Sequence, residues 1–351
     1  MKKRERYKRQ LLLPEWNEEV QKKLDQSSVL VVGAGGLGAA TLPYIAAAGL
    51  GHTGIVDHDH ISRSNLQRQI LFKESEIGSN KAERAAQFLQ DLNPDVLVKP
   101  YPFRLTEENA DDLISQYNVV VDCTDSIPVR YLINDVCVSQ EKPIVFGAIH
   151  RYEGQFAVLN YRGGPTYRCF FPENKGRITS PNCEEEGVLG SIAGLIGLYQ
   201  ATEVLKILTE LGEVSTSLTI IQPWKNETFK MYKERNDRQV EIARNNSSKR
   251  SRPDERKVRL LQTKELMDWA SDYPHALVVN MTGGPIREVN LSQLEFPGSN
   301  PDQLYMEDRE RALLVVCSHG INSRSASEYF IEKGFNKVFH LEGGIQKFRE
   351  E

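Results

Sequence analysis

Cysteine is scarce in this chain. Its five cysteines among 351 residues (Cys123, Cys137, Cys169, Cys183 and Cys317) follow none of the spacings of a disulfide framework, so they read as reduced thiols kept for packing or for reactivity. Long apolar runs are missing too. None reaches the ~18 residues of a membrane span, and the opening MKKRERYKRQ lacks the apolar segment of a signal peptide. The expectation is a cytoplasmic protein with no membrane partner. Charge of one sign is not in excess either: 44 basic against 48 acidic residues leave a net charge of −4, and nothing global points to nucleic acid or an anionic surface. One stretch, 236–257 (NDRQVEIARNNSSKRSRPDERK), is poor in apolar residues and has linker composition. A nucleic-acid patch on its basic end is the competing reading, but no aromatic residues interleave there. A chain this long exceeds one ordinary core. The division expected is a domain over 1–240, a linker over 241–257 and a second domain over 258–351.

The most informative stretch is 29–69. Val29-Leu30-Val31-Val32 suits a strand buried on both faces. It runs into Gly33-Ala34-Gly35-Gly36-Leu37-Gly38 and then a helical pattern over 39–48. Strand, glycine turn and helix set unpaired backbone N–H groups and a positive helix end against phosphate; a turn using glycine only for packing is the alternative. About twenty residues on, a second strand over 54–57 ends in Asp57, a carboxylate able to hold ribose hydroxyls. Ser64, Asn65 and Arg68 then follow, and after them Lys81. These cations exceed what a dinucleotide pyrophosphate needs and suit a triphosphate. A nicotinamide oxidoreductase or a charged surface loop would leave them unexplained.

Strands over 96–98 and 119–121, with helices over 82–92 and 107–116, continue an alternation that makes a parallel sheet wound with helices. The strand at 119–121 delivers Asp122-Cys123-Thr124-Asp125-Ser126 to its carboxyl end, where open α/β sheets bind ligands. Asp125 or Ser126 there can cap the helix expected over 129–140. Cys123 and Cys137 read as packing. Strands over 144–149, 155–161, 218–222 and 227–232 extend the sheet. A long helix over 187–208 has Gly190, Gly194 and Gly197 for close approach, as core and dimer contact.

Five ordered motifs, RYKRQ at 6–10, GAGGLG at 33–38, DHD…SNLQRQ at 57–69, GSNKA at 78–82 and DCTDS at 122–126, resemble the HesA/MoeB/ThiF family, bacterial relatives of ubiquitin-activating enzymes. The resemblance covers roughly residues 4–235. It implies a Rossmann-like α/β domain with a mixed sheet extension. The implied activity is ATP- and magnesium-dependent adenylylation of the C-terminal glycine of a ubiquitin-like sulfur carrier of the MoaD/ThiS kind, which ends in Gly-Gly. Within this resemblance Gly33, Gly35, Gly36, Asp57, Ser64, Asn65, Arg68, Lys81, Asp125 and Ser126 (usually Asn) surround ATP, and Asp125 holds magnesium. Arg9 matches an arginine inserted into the partner's ATP site, so a homodimer is implied. Cys183 matches a candidate thiol nucleophile; Glu184, Glu185 and Glu186 beside it oppose a thiolate, and a small buried residue is the other reading. Activation of a different substrate, such as a modified tRNA base or a secondary-metabolite carrier, stays open.

One departure from the family bears on metal. Many members bind zinc through two Cys-x-x-Cys pairs. Here the first reads Thr166-Tyr167-Arg168-Cys169, and the second, expected near 235–239, holds no cysteine. One thiolate cannot make a four-ligand site, so no zinc is expected.

The last ninety residues read as a second, small α/β domain, with a helix over 263–270 and strands over 276–280 and 312–316. The last strand empties into Cys317-Ser318-His319-Gly320-Ile321-Asn322-Ser323-Arg324-Ser325. A cysteine at a strand end, wrapped by a loop entering a helix, faces backbone N–H groups that stabilise a thiolate or persulfide. This loop, with 338–344 after it, resembles a single-domain rhodanese, with Cys317, Gly320, Ser323 and Arg324 as the persulfide loop and a cysteine-desulfurase-type donor implied. Asn280-Met281-Thr282 stands where rhodaneses have Asp-x-Arg, and no Gly-His-Ile-Pro-Gly segment is recognisable in 283–300.

Overall fold

The computed structural model describes residues 5–173, 187–251, 258–282, 286–287, 289–290, 292–295, 311–318, 321–332 and 335–350. The chain divides into two units between Ser251 and Arg252.

The first unit follows from its apolar strand runs. Helix α1 (Glu18–Asp25) leads into β1 (Ser28–Val32), α2 (Gly36–Ala47), β2 (His52–Val56), α3 (Lys81–Leu92), β3 (Leu97–Tyr101), α4 (Ala110–Ser115), β4 (Val119–Asp122) and α5 (Ile127–Ser139). A hairpin follows, β5 (Ile144–His150) and β6 (Glu153–Leu159). Then come α6 (Tyr167–Phe170), α7 (Gly190–Thr209), β7 (Leu218–Gln222), β8 (Glu227–Met231) and α8 (Asp237–Ser251). The eight strands form one sheet in the order β3-β2-β1-β4-β5-β6-β7-β8. Pairing is parallel through β5 and antiparallel beyond it. β1 and β4 are buried along almost their whole length because α2 and α7 cover one face and α4 and α5 the other. The order reverses beside β1, so the carboxyl ends of β1, β2 and β4 open a crevice there.

Helix α7 starts at Gly190, three residues later than the sequence suggests. It is long and apolar enough to cross a membrane, but 61% of its apolar window is buried, and it carries buried Gln200 and Glu203; it is a core helix. Of its three glycines, Gly194 has open space around it within the chain, while a Cβ on Gly197 would lie 2.4 Å from the Leu37 carbonyl oxygen. Backbone cannot yield as a flexible side chain does. Gly197→Ala should therefore cost ~1–3 kcal/mol, read as a lower Tm in thermal unfolding. An unchanged Tm would mean that α2 and α7 do not touch there.

The linker expected over 241–257 is corrected in its first half. Residues up to Ser251 belong to α8, which packs on α5: Val240 and Ala243 meet Val138, Asn246 Nδ2 donates to Asp135 Oδ2 at 2.9 Å, and Ser247 Oγ to Asp111 Oδ1 at 3.2 Å. Its apolar stripe is so narrow that composition hides the helix.

The second unit is a five-stranded parallel sheet, in the order β11-β10-β12-β13-β9. Its strands are β9 (Arg259–Leu261), β10 (Leu277–Asn280), β11 (Ser292–Glu295), β12 (Ala312–Val316) and β13 (Lys337–Leu341). Its helices are α9 (Leu266–Asp272), α10 (Ile321–Glu332) and α11 (Gly344–Glu350). Two apolar clusters, one built around Val278, Leu314 and Leu341 and the other around Val279, Val315 and Phe330, fill its two faces.

Candidate functional site

The glycine turn sits where β1 ends against β4. Gly33 has φ +98°, and a Cβ there would lie 2.8 Å from the Cys123 carbonyl oxygen; only glycine lets the turn close on the 122–126 loop. Gly35 occupies the N-cap of α2 with no side-chain cap, and no acidic residue stands in that first turn. The helix start thus offers backbone N–H groups and positive potential to an anion. A Cβ on Gly36 would meet Ala193 at 3.1 Å and Arg68 Cγ at 3.5 Å, so this glycine admits Arg68 beside the turn.

Asp57, at the end of β2, holds the turn from the other side. Its Oδ2 accepts the Ala34 N–H at 2.8 Å and its Oδ1 the Asp59 N–H at 2.9 Å. Each oxygen keeps a lone pair for a hydroxyl. Burial pushes the carboxyl up, against those N–H groups and Lys81. Lys81, the first residue of α3 and largely buried, puts Nζ 3.1 Å from Asp59 Oδ2. Burial works against the Asp59 charge, but Lys81 outweighs it and holds the carboxyl below its usual range.

Asp57, His58 and Asp59 could by spacing hold a metal. Their ligand atoms are already engaged, however, since Arg104 donates to His58 Nε2 at 2.7 Å and Lys81 neutralises Asp59. The loop between is kept by its own bonds: Asn65 Oδ1 accepts the Ser62 N–H at 3.2 Å, Ser64 and Ser62 hydroxyls meet at 3.0 Å, and Arg68 donates to the Ser64 carbonyl at 3.1 Å.

Across the turn, Ser126 is the N-cap of α5 but makes no side-chain cap bond. Asp125 is exposed, and among the described residues it has no hydrogen bond or ion pair. A carboxylate without a described partner, in the loop that follows a strand's carboxyl end, has the chemistry of a magnesium ligand. Behind it Asp122 is buried, its Oδ1 accepting the Thr124 N–H at 3.0 Å.

Sequence reasoning missed three residues here. Arg130 donates twice to the Thr124 carbonyl, at 3.3 and 2.8 Å. Gln200, from α7, donates to the carbonyls of Asp122 and Val145 at 2.8 and 3.2 Å. Buried Gln69 has an Oε1 without a partner, and its Nε2 lies 3.8 Å from where a Cβ on Gly35 would stand. Gln200 lies far from the motif it supports, and Arg130 lies just outside it; Gln69 stands inside a quoted motif but carries no charge to mark it.

Burial, opposed by Arg130, pushes the Asp122 carboxyl up to about 6. A raised folded-state pKa means that the protonated form favours the fold, so this contribution is complete below the unfolded value of ~3.9 and is lost as pH rises through about 6. Asp122→Asn keeps the acceptor and removes the buried charge. We expect it to gain ~1–3 kcal/mol relative to the parent at pH ~7.5 and little at pH ~4, measured as the Tm difference. The same offset at both pH values would refute this.

At the N-terminus, Tyr7 is buried and accepts from Asn93 Nδ2 at 2.9 Å, and Gln10 donates to the Ala48 carbonyl at 3.1 Å. These anchors leave Arg9 exposed, with no partner among the described residues. Cys183 lies outside the described residues. The thiols of Cys123 and Cys137 are buried, and burial raises both, as packing residues require.

In the second unit Cys317 follows β12 and is 5% exposed. The Ser323 N–H points at its Sγ at 3.4 Å, and the Ser323 hydroxyl is equally close. The loop is pinned where Ile345 N–H and Gln346 N–H donate to the Cys317 and Ser318 carbonyls at 3.1 and 3.2 Å. Asn280 Oδ1 turns back to accept from Thr282 N–H and Oγ1 at 2.9 and 2.7 Å. Gly320 and the Arg324 side chain lie outside the described residues.

Two family models match: the ThiF family over residues 7–242 and the rhodanese-like domain over 274–351. The chain is 32% identical to the adenylyltransferase and sulfurtransferase UBA4 of Meyerozyma guilliermondii, over 99% of this chain and 88% of that protein. It is 36% identical to UBA4 of Lodderomyces elongisporus, over 99% and 85%. With the adenylyltransferase and sulfurtransferase MOCS3 of Mus musculus it shares 49% identity over 59% of this chain and 45% of that protein. Among solved structures, E. coli MccB with ATP shares the fold, with TM-score 0.59 and 20% identity over 66% of this chain and 72% of that one. The chain belongs to the ThiF family, as an adenylyltransferase that carries a rhodanese-like sulfurtransferase domain.

Proposed function

We propose that the protein adenylylates the C-terminal glycine of a ubiquitin-like sulfur carrier and then turns that carboxylate into a thiocarboxylate, with sulfur carried on Cys317. What supports the first half is an uncapped helix start after β1, with Arg68 beside Gly36, Lys81 in the segment that follows β2, and Asp125, which has no partner among the described residues, in the loop after β4. Lys81 and Arg68 would take the phosphates of ATP, Asp57 the ribose, and Asp125 the magnesium that offsets phosphate charge. The carrier's carboxylate attacks the α-phosphate and pyrophosphate leaves. The protein's part is positioning and charge neutralisation. Arg9, anchored at its base and exposed at its tip, suits insertion into the site of a second copy.

In the second half a Cys317 persulfide, loaded by a cysteine-desulfurase-type donor, attacks the acyl carbon and AMP leaves. A second thiol then attacks Cys317 Sγ, forming a Cys–Cys disulfide and releasing the thiocarboxylate; Cys183 is the candidate. Four free cysteines among the described residues agree with a reducing compartment such as the cytoplasm. The residues offer no fit to a structural zinc, because among Thr166, Cys169 and 235–239 only Cys169 supplies a thiolate.

The test is ATP–pyrophosphate exchange. It should require magnesium and a carrier ending in Gly-Gly, and vanish when the tail is shortened. Exchange unaffected by the tail, or NAD binding in calorimetry without ATP turnover, would refute the reading.

A further inference from the structure

The two segments that zinc joins in many relatives also meet here, and hydrogen bonds join them. Thr166 Oγ1 lies 3.3 Å from Cys169 Sγ. The Asn236 N–H points at that same sulfur at 3.4 Å, and the Gln239 N–H donates to Asn236 Oδ1 at 3.2 Å. Positions 166, 169 and 236 thus converge, and Gln239 follows 236 at the spacing of a Cys-x-x-Cys pair. The sequence alone left the second pair undefined within 235–239; the Asn236 contact to Cys169 selects 236, and the spacing then gives 239.

What surrounds this corner ties the same segments. Arg168, 2% exposed, reaches Asp135 of α5 with Nε–Oδ1 at 2.6 Å and Nη2–Oδ2 at 2.8 Å, and Glu173 with Nη1–Oε2 at 2.8 Å. Asp135 also accepts from Asn246 of α8. Arg235 donates to Asn160 Oδ1 and the Gly164 carbonyl at 3.1 and 2.8 Å, closing the turn that precedes Thr166. A buried bidentate pair with a third donor engaged by Glu173 is strong in this setting, and it does the tethering a metal does elsewhere.

We propose that this corner is a metal-free clasp in which the Thr166, Cys169, Asn236 and Gln239 positions are those of a zinc knuckle, so that three thiols would restore metal binding. The idea deepens the zinc-free reading above, and it is independent of adenylylation, since its readouts need neither ATP nor carrier.

The experiment uses the untagged full chain produced with added zinc. Elemental analysis should find fewer than ~0.1 zinc per chain in the parent, with melting unmoved by a chelator. Thr166→Cys/Asn236→Cys/Gln239→Cys should bind about one zinc per chain and lose more than ~5 °C of Tm to the chelator. Stoichiometric zinc in the parent, or a chelator-sensitive parent, overturns the clasp. A triple variant with parental circular dichroism that takes no zinc overturns the assignment of the four positions. Should the triple variant fail to fold, the parent's zinc content and chelator response decide for or against the clasp, and Arg235→Met should then lower Tm by several degrees that added zinc does not restore.

Discussion

Cys317→Ala should leave carrier adenylation intact and lower thiocarboxylate formation by ~10³ or more, as loss of a covalent nucleophile does. The sulfur sits at the end of a strand, nearly enclosed, with the Ser323 backbone N–H pointing at it and its own S–H donating to the Ser323 hydroxyl oxygen. A bound persulfide would find there that N–H donor and a hydroxyl able to rotate and donate. Cys123 and Cys137 are buried with their thiols pushed up, and Cys169 is occupied by Thr166 and Asn236, so none can take over. The check is intact-mass analysis of the carrier after incubation with ATP, magnesium and a persulfide donor. The variant should accumulate carrier-AMP or free carrier, without the species in which sulfur replaces one oxygen. Normal thiocarboxylate yield from this variant would remove Cys317 from the pathway and leave the second unit a scaffold.

Strands buried on both faces were easy to read in the sequence, because Val29–Val32, Val119–Val121 and Ala312–Val316 are unbroken apolar runs between glycine or polar boundaries. The glycine turn was readable for a related reason: Gly33 must adopt positive φ and touch the 122–126 loop, and no other residue type does both without strain. What stayed hidden depends on contacts between distant segments. Lys81 and Asp59 both stood in the motifs, but nothing in their spacing says that they pair. Gln200 supports Asp122 from 78 positions away. Helix α8 was read as linker because its burial rests on Val240 and Ala243 alone, and its other anchors are polar. Strands β9 and β11 are three and four residues long, too short for alternation to show.

Arg9→Ala should cost ~10³ or more in ATP–pyrophosphate exchange, the range for an arginine supplied to a transferring phosphate. The loss should come without a change in Tm, because Arg9 is exposed with no partner among the described residues, while Tyr7 and Gln10 carry the anchoring of its segment. Lys81→Met should cost as much for a different reason: it removes a cation from inside the site, and it strands the Asp59 carboxylate that Lys81 now neutralises at 3.1 Å. The two variants separate a residue acting in its own site from one acting in a neighbour's. Unfolded and reassembled as an equal mixture, they should recover about a quarter of parental sites in a two-fold dimer, because the Arg9→Ala subunit of each mixed dimer keeps Lys81 and receives an intact Arg9 from its companion. An Arg9 serving its own subunit would leave the mixture as inactive as either variant alone, and a chain that sediments as a monomer under assay conditions would give the same result. Recovery can arise only if the arginine crosses between copies, so this measurement tests the dimer and the residue's role together.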